Sequence, residues 1–510
     1  MDETFDVVIA GAGPVGLMLA CELRLAGVDV LVVERLDEID PTMKAGGINI
    51  PTAQALYRRG LLPELVAESA RARDQMARFL TAGKGSAETD KPMTPPFRGH
   101  FAGIMIGADL VEFDRSTFAD LGPAAKVNLV AQQSIEALLG RRAEELGVHV
   151  RRGVELTDFE DDGAGVTVRL GDHTVRAGWL VGCDGGRSTV RKLAGFDFPG
   201  LDPELTGYQA IVEMTGAEGL NPGWTTTDTG IYVHGPVPGR ILTVQLDGPP
   251  ADRDAPITAA ELQASLRAVS GVPVEITAVH SATRFTDNTR QVTEYRRGRV
   301  LLAGDAAHVH SPFGGQGLNL GIGDAVNLGW KLAAVVRGWA RPDLLDTYTT
   351  ERHPIGAWVL DWTRAQVALM RTDPRSRKLR EVMTELLSTR DAATVVFERI
   401  SGVLHRYDLG GGHERVGAAV PDFALSDGTR LGSHFADGAA VLFDLADSAQ
   451  LRAAVAPWAP RVRVVTAKAV APGDLTGMLV RPDGFVAWAA DAGSLDGLEA
   501  ALIRWFGAAG

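Results

Sequence analysis

Cysteine is nearly absent from this chain, because its 510 residues include only Cys21 and Cys183. Neither cysteine lies in a Cys-x-x-Cys pair or at a metal-ligand spacing. A disulfide framework and thiol catalysis are therefore excluded as leading interpretations, and the low count is typical of a reducing compartment. We expect a cytoplasmic protein.

Long hydrophobic runs and an excess of positive charge are also missing. The apolar stretch from Val7 to Cys21 follows Asp2 and Glu3 and is interrupted by glycines, unlike the core of a signal peptide. No stretch approaches the roughly 20 apolar residues of a membrane span. The net charge of −13 disfavours a polyanionic partner. We therefore expect no nucleic acid and no membrane among the partners.

The rest of the composition is that of an ordinary globular protein, with 45% hydrophobic and 23% charged residues. The length predicts two to four domains. The chain opens with a β-strand–helix–β-strand pattern that places strands at Phe5–Ala10 and Val28–Glu34 and a helix at Pro14–Leu25. This order predicts an α/β domain with a parallel sheet.

A glycine-rich motif joins the first strand to the first helix. Its glycines permit a tight turn, close approach of the backbone to a pyrophosphate, and close strand–helix packing. The helix N-terminus then offers free N–H groups to phosphates, and Glu34 can hold ribose hydroxyls at the end of the second strand. The motif predicts a dinucleotide site without distinguishing NAD from FAD. Its residues are Gly11, Ala12, Gly13, Pro14, Val15 and Gly16.

A second motif favours a flavin. Gly304-Asp305 ends the predicted strand Val300–Ala303, where a carboxylate suits a polyol such as the ribityl chain. The loop of small residues that follows lets backbone N–H groups approach a flat ring. The next helix points its positive end at reduced, anionic flavin. An NAD dehydrogenase has no use for this distant site. The candidate residues of the loop are Pro312, Gly315, Gly317, Leu318 and Asn319.

A third motif, Asp184-Gly185-Gly186-Arg187 and its continuation to Arg191, follows a further apolar strand. An Asp-Gly turn followed by arginines suits a phosphate-bearing cofactor beside a flavin. The alternative is that Arg187 and Arg191 pair with surface acids.

The remaining chain predicts three further regions. Residues 200 to 285 are rich in strands and turns and predict an inserted antiparallel sheet, and residues 355 to 405 predict helices. After the Gly410–Gly412 run, the predicted order is βαβ–ββ–α, as in a thioredoxin-like domain. That domain contains no cysteine, so redox chemistry is excluded there.

Together, GAGPVG, CDGGRSTVR and GDAAHVHSPFGGQGLN resemble the motifs of class A flavoprotein monooxygenases of the para-hydroxybenzoate hydroxylase fold. The subgroup that the chain resembles is that of aromatic polyketide hydroxylases and rifampicin-type monooxygenases. The resemblance implies an α/β fold with three domains. The FAD-binding domain would comprise residues 1–75, 100–195 and 286–395, and the antiparallel-sheet substrate domain residues 76–99 and 196–285. A linker at 396–412 would precede the thioredoxin-like domain at 413–510.

The resemblance also implies roles for individual residues. The glycine motif, Glu34 and Arg35 would bind the adenosine half of FAD, and Gln133 would lie near its linker. Gly304 and Asp305 would bind the ribityl chain, the 312–319 loop would line the isoalloxazine, and Asp184 would be a further cofactor contact. Lys44 stands where relatives place an arginine, which keeps the charge but loses the planar guanidinium.

The reaction implied by the resemblance is oxygen insertion into a polycyclic aromatic molecule. NADPH (or NADH) would reduce FAD, O₂ would add at the flavin C4a position, and the hydroperoxide would oxidise the substrate. No obligatory catalytic side chain is evident. Two alternatives stay open, a Baeyer–Villiger oxygenase and an FAD oxidase or dehydrogenase without oxygen transfer. We expect a monomer or homodimer.

Two pairs of side chains in the sequence are further candidates. Tyr232 and His234 alternate along a predicted strand and so share a face, from which either could contact substrate. They could equally face away from the flavin. His308 and His310 also alternate, but no acidic residue or cysteine at a suitable spacing completes a metal site, so we expect none.

Overall fold

The structure is a computed structural model that describes residues 3–82, 97–459, 461–471 and 473–509. Most of the 76–99 segment, predicted to belong to the substrate domain, lies outside these residues. The first 193 residues form eight strands and five helices among the described positions. They are β1 Glu3–Ala10, α1 Pro14–Leu25, β2 Val30–Glu34, α2 Ile50–Arg58, α3 Leu62–Ala82, β3 Phe97–Phe101, β4 Ile104–Gly107, α4 Gln132–Glu145, β5 His149–Arg152, β6 Leu156–Asp161, β7 Val166–Leu170, β8 His173–Gly182 and α5 Thr189–Leu193.

The middle of the chain first forms a strand-rich region and then four long helices. Its elements are β9 Gly200–Leu201, β10 Thr206–Thr215, β11 Gly223–Thr226, β12 Gly230–His234, β13 Arg240–Gln245, α6 Ala259–Ser270, β14 Glu275–Phe285, β15 Thr289–Gln291, β16 Arg296–Arg297, β17 Val300–Leu302, β18 His308–Val309, α7 Gly317–Val336, α8 Asp346–Met370, α9 Pro374–Leu387 and α10 Arg390–Ser401.

The C-terminal part alternates strands and helices. Its elements are β19 Ala440–Asp444, α11 Ala449–Val455, β20 Val462–Thr466, β21 Leu475–Val480, β22 Val486–Asp491 and α12 Leu498–Phe506. This βαβ–ββ–α order is the one predicted from the sequence. The four strands form one sheet in the order β20-β19-β21-β22, in which only β19 and β20 are parallel.

The main sheet has the strand order β16-β17-β8-β1-β2-β5, and β1 runs parallel to both β2 and β8. The apolar half of β1, from Val7 to Ala10, is buried because α1 and α7 cover the sheet. The predicted first strand and helix are confirmed, whereas the second strand begins at Val30 instead of Val28. The carboxyl ends of β1, β2, β8 and β17 therefore meet at one edge, where α1 begins.

The inserted sheet is antiparallel, with the order β11-β12-β13-β10-β14. Helix α6 covers one face, where its Leu262 and Leu266 pack against Tyr208 and Ile241. The opposite face packs against Phe313, which lies in the loop before α7. Because alternate residues of a strand point to opposite faces, each strand contributes to both surfaces.

The C-terminal domain packs against helices α7 and α8. Trp330 of α7 shares a buried cluster with Trp505 and Phe506 of α12 and with Leu442 of β19. Burial of the Trp330, Trp505 and Phe506 rings stabilises the contact between the C-terminal domain and α7. Among the described residues, no helix is long and apolar enough to cross a membrane.

Candidate active site

The first glycine motif packs as tightly as predicted. Gly11 has φ of +105°, and a Cβ there would lie 2.4 Å from the carbonyl oxygen of Cys183. A Cβ at Gly16 would lie 2.0 Å from the carbonyl oxygen of Gly11. Gly13 is different, since a Cβ at this position would meet nothing within 4 Å. Gly11 and Gly16 are thus required for packing, whereas Gly13 leaves open space at the start of α1.

The N-terminus of α1 has no side-chain cap and begins with Pro14. Its free N–H groups therefore face the open space at Gly13, beside the half-buried Val15. Glu34 lies alongside and accepts hydrogen bonds from the backbone N–H of Ala12 at 2.9 Å and of Leu36 at 3.0 Å. A carboxylate has further lone pairs for hydroxyl groups. Arg35, by contrast, is exposed.

The second motif lies directly against the first. A Cβ at Gly304 would lie 3.0 Å from Val15, and one at Gly321 of α7 would lie 2.5 Å from the same side chain. The exposed Asp305 carboxylate lies 3.7 Å from the position of a Cβ on Gly317, the first residue of α7. The fold thus brings together two motifs that are almost 300 residues apart in sequence.

The loop between β18 and α7 presents backbone rather than side chains. Pro312 and Gly315 are exposed, and a Cβ on Gly315 would meet nothing within 4 Å. Asn319 is used internally, since it donates to the Gly315 carbonyl at 2.8 Å and accepts from the backbone N–H of Asn49 at 2.8 Å. Leu318 is buried. The N-terminus of α7 has no side-chain cap.

The segment from 40 to 49 forms another wall of this space. Lys44 forms an ion pair with Asp40 at 2.9 Å and is half-exposed. Gln133 donates from its side-chain amide to the carbonyl oxygen of Thr42, and Gln209 of β10 donates to that of Met43. Lys44 can therefore contact a phosphate only if its ion pair with Asp40 breaks.

The charged side chains of the third motif have partners within the protein. The Asp184 carboxylate accepts hydrogen bonds from the Ser188 hydroxyl and from the N–H groups of Thr189 and Val190 in the first turn of α5, of which Ser188 is the N-cap. Arg187 is ion-paired with Asp254, as in the alternative interpretation. Arg191 donates to the carbonyl groups of Gly186 and Ala306. These contacts give Asp184 and the arginines structural partners.

Tyr232 lies on the α6 face of the inserted sheet, in the cluster of Leu262 and Leu266. Its hydroxyl oxygen accepts a hydrogen bond of 3.1 Å from the N–H of Asn221. His234 lies on the same face of the strand as Tyr232. The alternating residues Ile231 and Val233 lie on the opposite face, beside the cofactor loop. This packing argues against substrate contact by Tyr232. For His234, the structure shows partial burial that lowers the pKa of its imidazole.

The opposite face carries residues that the sequence reasoning missed. Ile231, Val233, Leu242 and Val244 form a buried cluster with Phe313. The Trp224 ring lies 6.0 Å from Phe313 and 5.0 Å from His100, between ring centroids. The Phe285 ring lies 6.1 Å from Phe313. The period-2 pattern pointed to the strand residues Ile231, Val233, Leu242 and Val244, but it does not tell which face is turned to the loop.

The two histidines of the second motif have separate partners. His308 is fully buried, and its Nε2 lies 2.7 Å from the Asp324 carboxylate of α7. His310 Nδ1 lies 2.7 Å from the carbonyl oxygen of Ser311, and burial lowers the pKa of His310. Within the described part of the chain, no group of three or more acidic, histidine or cysteine side chains could hold a metal ion.

These features fit a dinucleotide cofactor with a flavin end. Two uncapped helix N-termini and two carboxylates, Glu34 and Asp305, surround the same region, and Gly13 and Gly315 leave space where a side chain would intrude. Amide donors, polyol-binding carboxylates and an open glycine surface are what the pyrophosphate, ribose or ribityl chain, and ring of FAD require.

Family models confirm this interpretation. Residues 4–363 match the family described as FAD binding domain, and residues 413–509 match the family described as aromatic-ring hydroxylase, C-terminal. The chain belongs to this family of FAD-dependent monooxygenases. The monooxygenase therefore uses FAD as its cofactor, and the predicted fold class is confirmed.

The similarity to individual relatives covers nearly the whole length of this monooxygenase. The chain is 42% identical to the 12-dehydrotetracycline 5-monooxygenase/anhydrotetracycline 6-monooxygenase of Streptomyces rimosus, over 99% of both proteins. It is 40% identical to a rifampicin monooxygenase of Streptomyces venezuelae, again over 99% of both. The solved structure of the OxyS anhydrotetracycline hydroxylase of Streptomyces rimosus has a TM-score of 0.86 and 40% identity, covering 99% of this chain and 100% of that one.

Proposed function

We propose that this monooxygenase hydroxylates a polycyclic aromatic molecule of the polyketide type, in antibiotic biosynthesis or modification. The observation that carries the proposal is the apolar wall formed by the inserted sheet beside the cofactor loop. The half-buried rings of Trp224 and Phe285 lie there over the buried side chains of Phe313, Ile231 and Val233. Flat fused rings bind such surfaces by stacking and by burial of apolar area.

The hairpin of β3 and β4 supplies the outer part of this wall. Gln366 of α8 accepts a hydrogen bond from the N–H of Ala102 at 2.9 Å and donates to the Phe313 carbonyl at 3.2 Å. This fully buried amide therefore holds the hairpin against the cofactor loop. The hairpin residue His100 is neutral above acidic pH, because burial and the nearby Arg380 lower its pKa to about 4.

The chemistry divides between cofactor and protein. Bound FAD, reduced by NADPH or NADH, supplies the activation of O₂. The residues of the chain orient the substrate, hold the flavin and exclude water from the site. Nδ1 of the neutral His100 ring accepts a hydrogen bond from the N–H of Gly103 at 3.2 Å, so Nε2 carries the proton and can donate to a phenol or quinone oxygen. No side chain is assigned the role of a catalytic base.

The remaining assignments are part of the same proposal. The cofactor contacts are the glycine motif, Glu34, Arg35, Lys44, Gln133, Asp184, Gly304 and Asp305, together with the loop residues Pro312, Gly315, Gly317, Leu318 and Asn319. The three domains keep the bounds predicted from the sequence. The enzyme works in the cytoplasm. It is a monomer or homodimer, and light scattering during size-exclusion chromatography tests this oligomeric state directly.

The experiment is NADPH and NADH oxidation by FAD-loaded enzyme, with a panel of polycyclic phenols, quinones and rifamycins under ¹⁸O₂. We expect one class to accelerate oxidation and to gain a single labelled oxygen on a ring carbon. A labelled lactone or ester would instead indicate Baeyer–Villiger insertion. Oxidation of a compound with an equimolar yield of peroxide, without NADPH consumption or label incorporation, would favour the oxidase interpretation.

A further inference from the structure

A buried carboxylate lies behind the Gly304–Asp305 turn. Asp324 of α7 is 0% exposed. Its Oδ2 accepts hydrogen bonds from the N–H of Gly304 at 3.0 Å and from Nε2 of His308 at 2.7 Å. One oxygen atom therefore holds both sides of the turn that presents Asp305 to the cofactor.

The second oxygen of this carboxylate has a cationic partner. Nε of Arg352, on α8, donates to Asp324 Oδ1 at 2.8 Å. Burial alone would raise the pKa of the Asp324 carboxyl, but His308 and Arg352 lower the pKa overall, so the group is ionised. A buried carboxylate keeps its charge only when such partners surround it. Losing Arg352 would therefore disturb the turn as well as the pair.

Arg352 also reaches the segment that leads into the C-terminal domain. Its guanidinium donates to the Leu320 carbonyl at 2.9 Å and to the hydroxyl of Tyr407 at 3.2 Å. The Tyr407 ring lies against Phe485 of the C-terminal domain, with centroids 4.0 Å apart. A continuous set of contacts thus runs from Phe485 to the Gly304 amide.

The residue preceding Arg352 anchors the same turn of α8 to the C-terminal domain. Glu351 accepts two hydrogen bonds from Arg481, at 2.9 and 2.7 Å, and forms an ion pair with Lys331 at 2.9 Å. Arg481 is fully buried, with its guanidinium carbon 4.6 Å from the centre of the Trp505 ring. Adjacent residues of one helix therefore bind the C-terminal domain and the flavin turn.

We propose that Asp324 and Arg352 are positioning residues for the flavin, and that the C-terminal domain sets their position through Tyr407 and Arg481. In this arrangement the cysteine-free domain contributes to the flavin site from behind, without touching the cofactor. The inference depends on FAD binding alone, so it stands or falls independently of the substrate class.

The first test is Asp324→Asn in the full-length enzyme, measured by FAD titration of the apoprotein and by the midpoint potential of the bound flavin. We expect the FAD Kd to rise about tenfold or more, the equivalent of one lost charge-assisted hydrogen bond. The potential should shift as well, because the Asp305 turn moves relative to the flavin. A Kd and a potential equal to those of the wild type would overturn the proposal.

A matched control separates positioning from mere stability. Glu22 and Arg59 form another buried ion pair of the same domain, at 2.6 Å, on the far part of α1. Arg59 also donates to the carbonyl groups of Phe435 and Pro482 in the C-terminal domain, but the pair lies outside the Asp324–Arg352 contacts, so Glu22→Gln should lower the Tm while the FAD Kd stays within about twofold of the wild-type value. If Glu22→Gln changed the flavin properties as much as Asp324→Asn, the effect would be general loosening and the proposal would be wrong.

The second test addresses the C-terminal domain. Tyr407→Phe keeps the ring against Phe485 and removes only the hydroxyl that accepts from Arg352. We expect the FAD Kd to rise about three- to tenfold, with a smaller shift of the potential than in Asp324→Asn. Native values for both would refute the role of the C-terminal domain. Should Asp324→Asn fail to fold, Arg352→Lys takes its place, because lysine keeps the charge but cannot reach all three partners.

Discussion

The side-chain amide of Gln209 donates a hydrogen bond to the backbone carbonyl oxygen of Met43, 3.1 Å away. The contact joins β10 of the inserted sheet to the segment that carries Lys44. The inserted sheet, proposed to contact substrate, and the 40–49 segment, proposed to wall the cofactor site, are therefore joined by this amide, so we expect Gln209 to couple the two sites.

Replacing the Gln209 amide should raise the fraction of NADPH oxidation that yields hydrogen peroxide instead of oxygenated substrate. In Gln209→Leu, the 40–49 segment loses its attachment to the sheet, so water reaches the flavin more easily and more reducing equivalents end as peroxide. The measurement is the ratio of H₂O₂ formed to NADPH consumed with substrate present. His280→Gln alters an exposed contact in which Nε2 of His280, on β14, lies 3.0 Å from the carboxylate of Glu213, on β10, and should leave the ratio unchanged. An unchanged ratio in Gln209→Leu would contradict this role.

Two glycines of one motif should respond oppositely to alanine. Gly13→Ala should fold with a normal Tm as apoprotein, because Gly13 has φ of −70° and open space around its Cβ position. It should nevertheless bind FAD at least about tenfold more weakly, since the methyl group enters the pyrophosphate space. In Gly16→Ala, the Cβ would lie 2.0 Å from the Gly11 carbonyl oxygen, so the apoprotein itself should be destabilised.

Thermal unfolding of the apoproteins and FAD titration check both outcomes. Gly140→Ala is the control, because Gly140 lies in α4 with nothing within 4 Å of its Cβ position. It should change neither FAD affinity nor, beyond a slight gain, stability. Equal FAD binding by Gly13→Ala and the wild type would show that the pyrophosphate does not lie at this helix terminus.

Acid should destabilise the protein through His405. Burial, with a contribution from Arg352, lowers the pKa of this histidine to about 4 in the folded state, against about 6.5 in an unfolded chain. The unfolded state therefore binds more protons between these values, and stability falls as the pH drops from about 6.5 toward 4. The loss from this group reaches about 3 kcal/mol at most.

The measurement is the Tm as a function of pH. His405→Gln cannot titrate, so its Tm should fall less steeply over this range than that of the wild type. Leu404→Gln changes the neighbouring exposed side chain and serves as control, with the wild-type slope expected. Parallel curves for His405→Gln and the wild type would show that the buried imidazole does not account for the acid sensitivity.

Substitutions on the α6 face of the inserted sheet should change stability, whereas substitutions on the opposite face should change substrate binding. Tyr232→Phe removes the hydroxyl that accepts from Asn221, which costs about 1 kcal/mol of stability and leaves the substrate KM unchanged. Trp224→Phe shrinks the wall beside Phe313 and should raise KM with little effect on Tm. Steady-state kinetics of both variants measures the KM, and thermal unfolding measures the stability. A raised KM in Tyr232→Phe would place the substrate on the α6 face instead.

Local patterns were sufficient to predict the elements that we propose bind the dinucleotide. The strand, glycine turn and helix from Phe5 to Leu25 follow from residue order alone, as does the βαβ–ββ–α order of the C-terminal domain. Both are encoded within short stretches, where apolar periodicity and glycine positions have few alternative explanations.

Contacts between distant segments could not be predicted in this way. Gln209 and Met43 are 166 residues apart, and nothing near either one indicates the pairing. Alternation placed Tyr232 and His234 on one face, but only the packing of α6 and Phe313 shows which face that is. Asp324 offered a weak signal, as an acid within the apolar pattern of α7, since buried acids require partners.

The pairing of Glu351 with Arg481 has a consequence for synthesis of the chain. The two residues are 130 positions apart, and the ribosome makes Glu351 first. Until the last part of the chain emerges, α8 presents a carboxylate that lacks its guanidinium partner, in a region that later excludes water. The N-terminal portion can therefore form early, but its maturation waits for the final strands. A nascent chain stalled before residue 481 should be a target for chaperones and proteases.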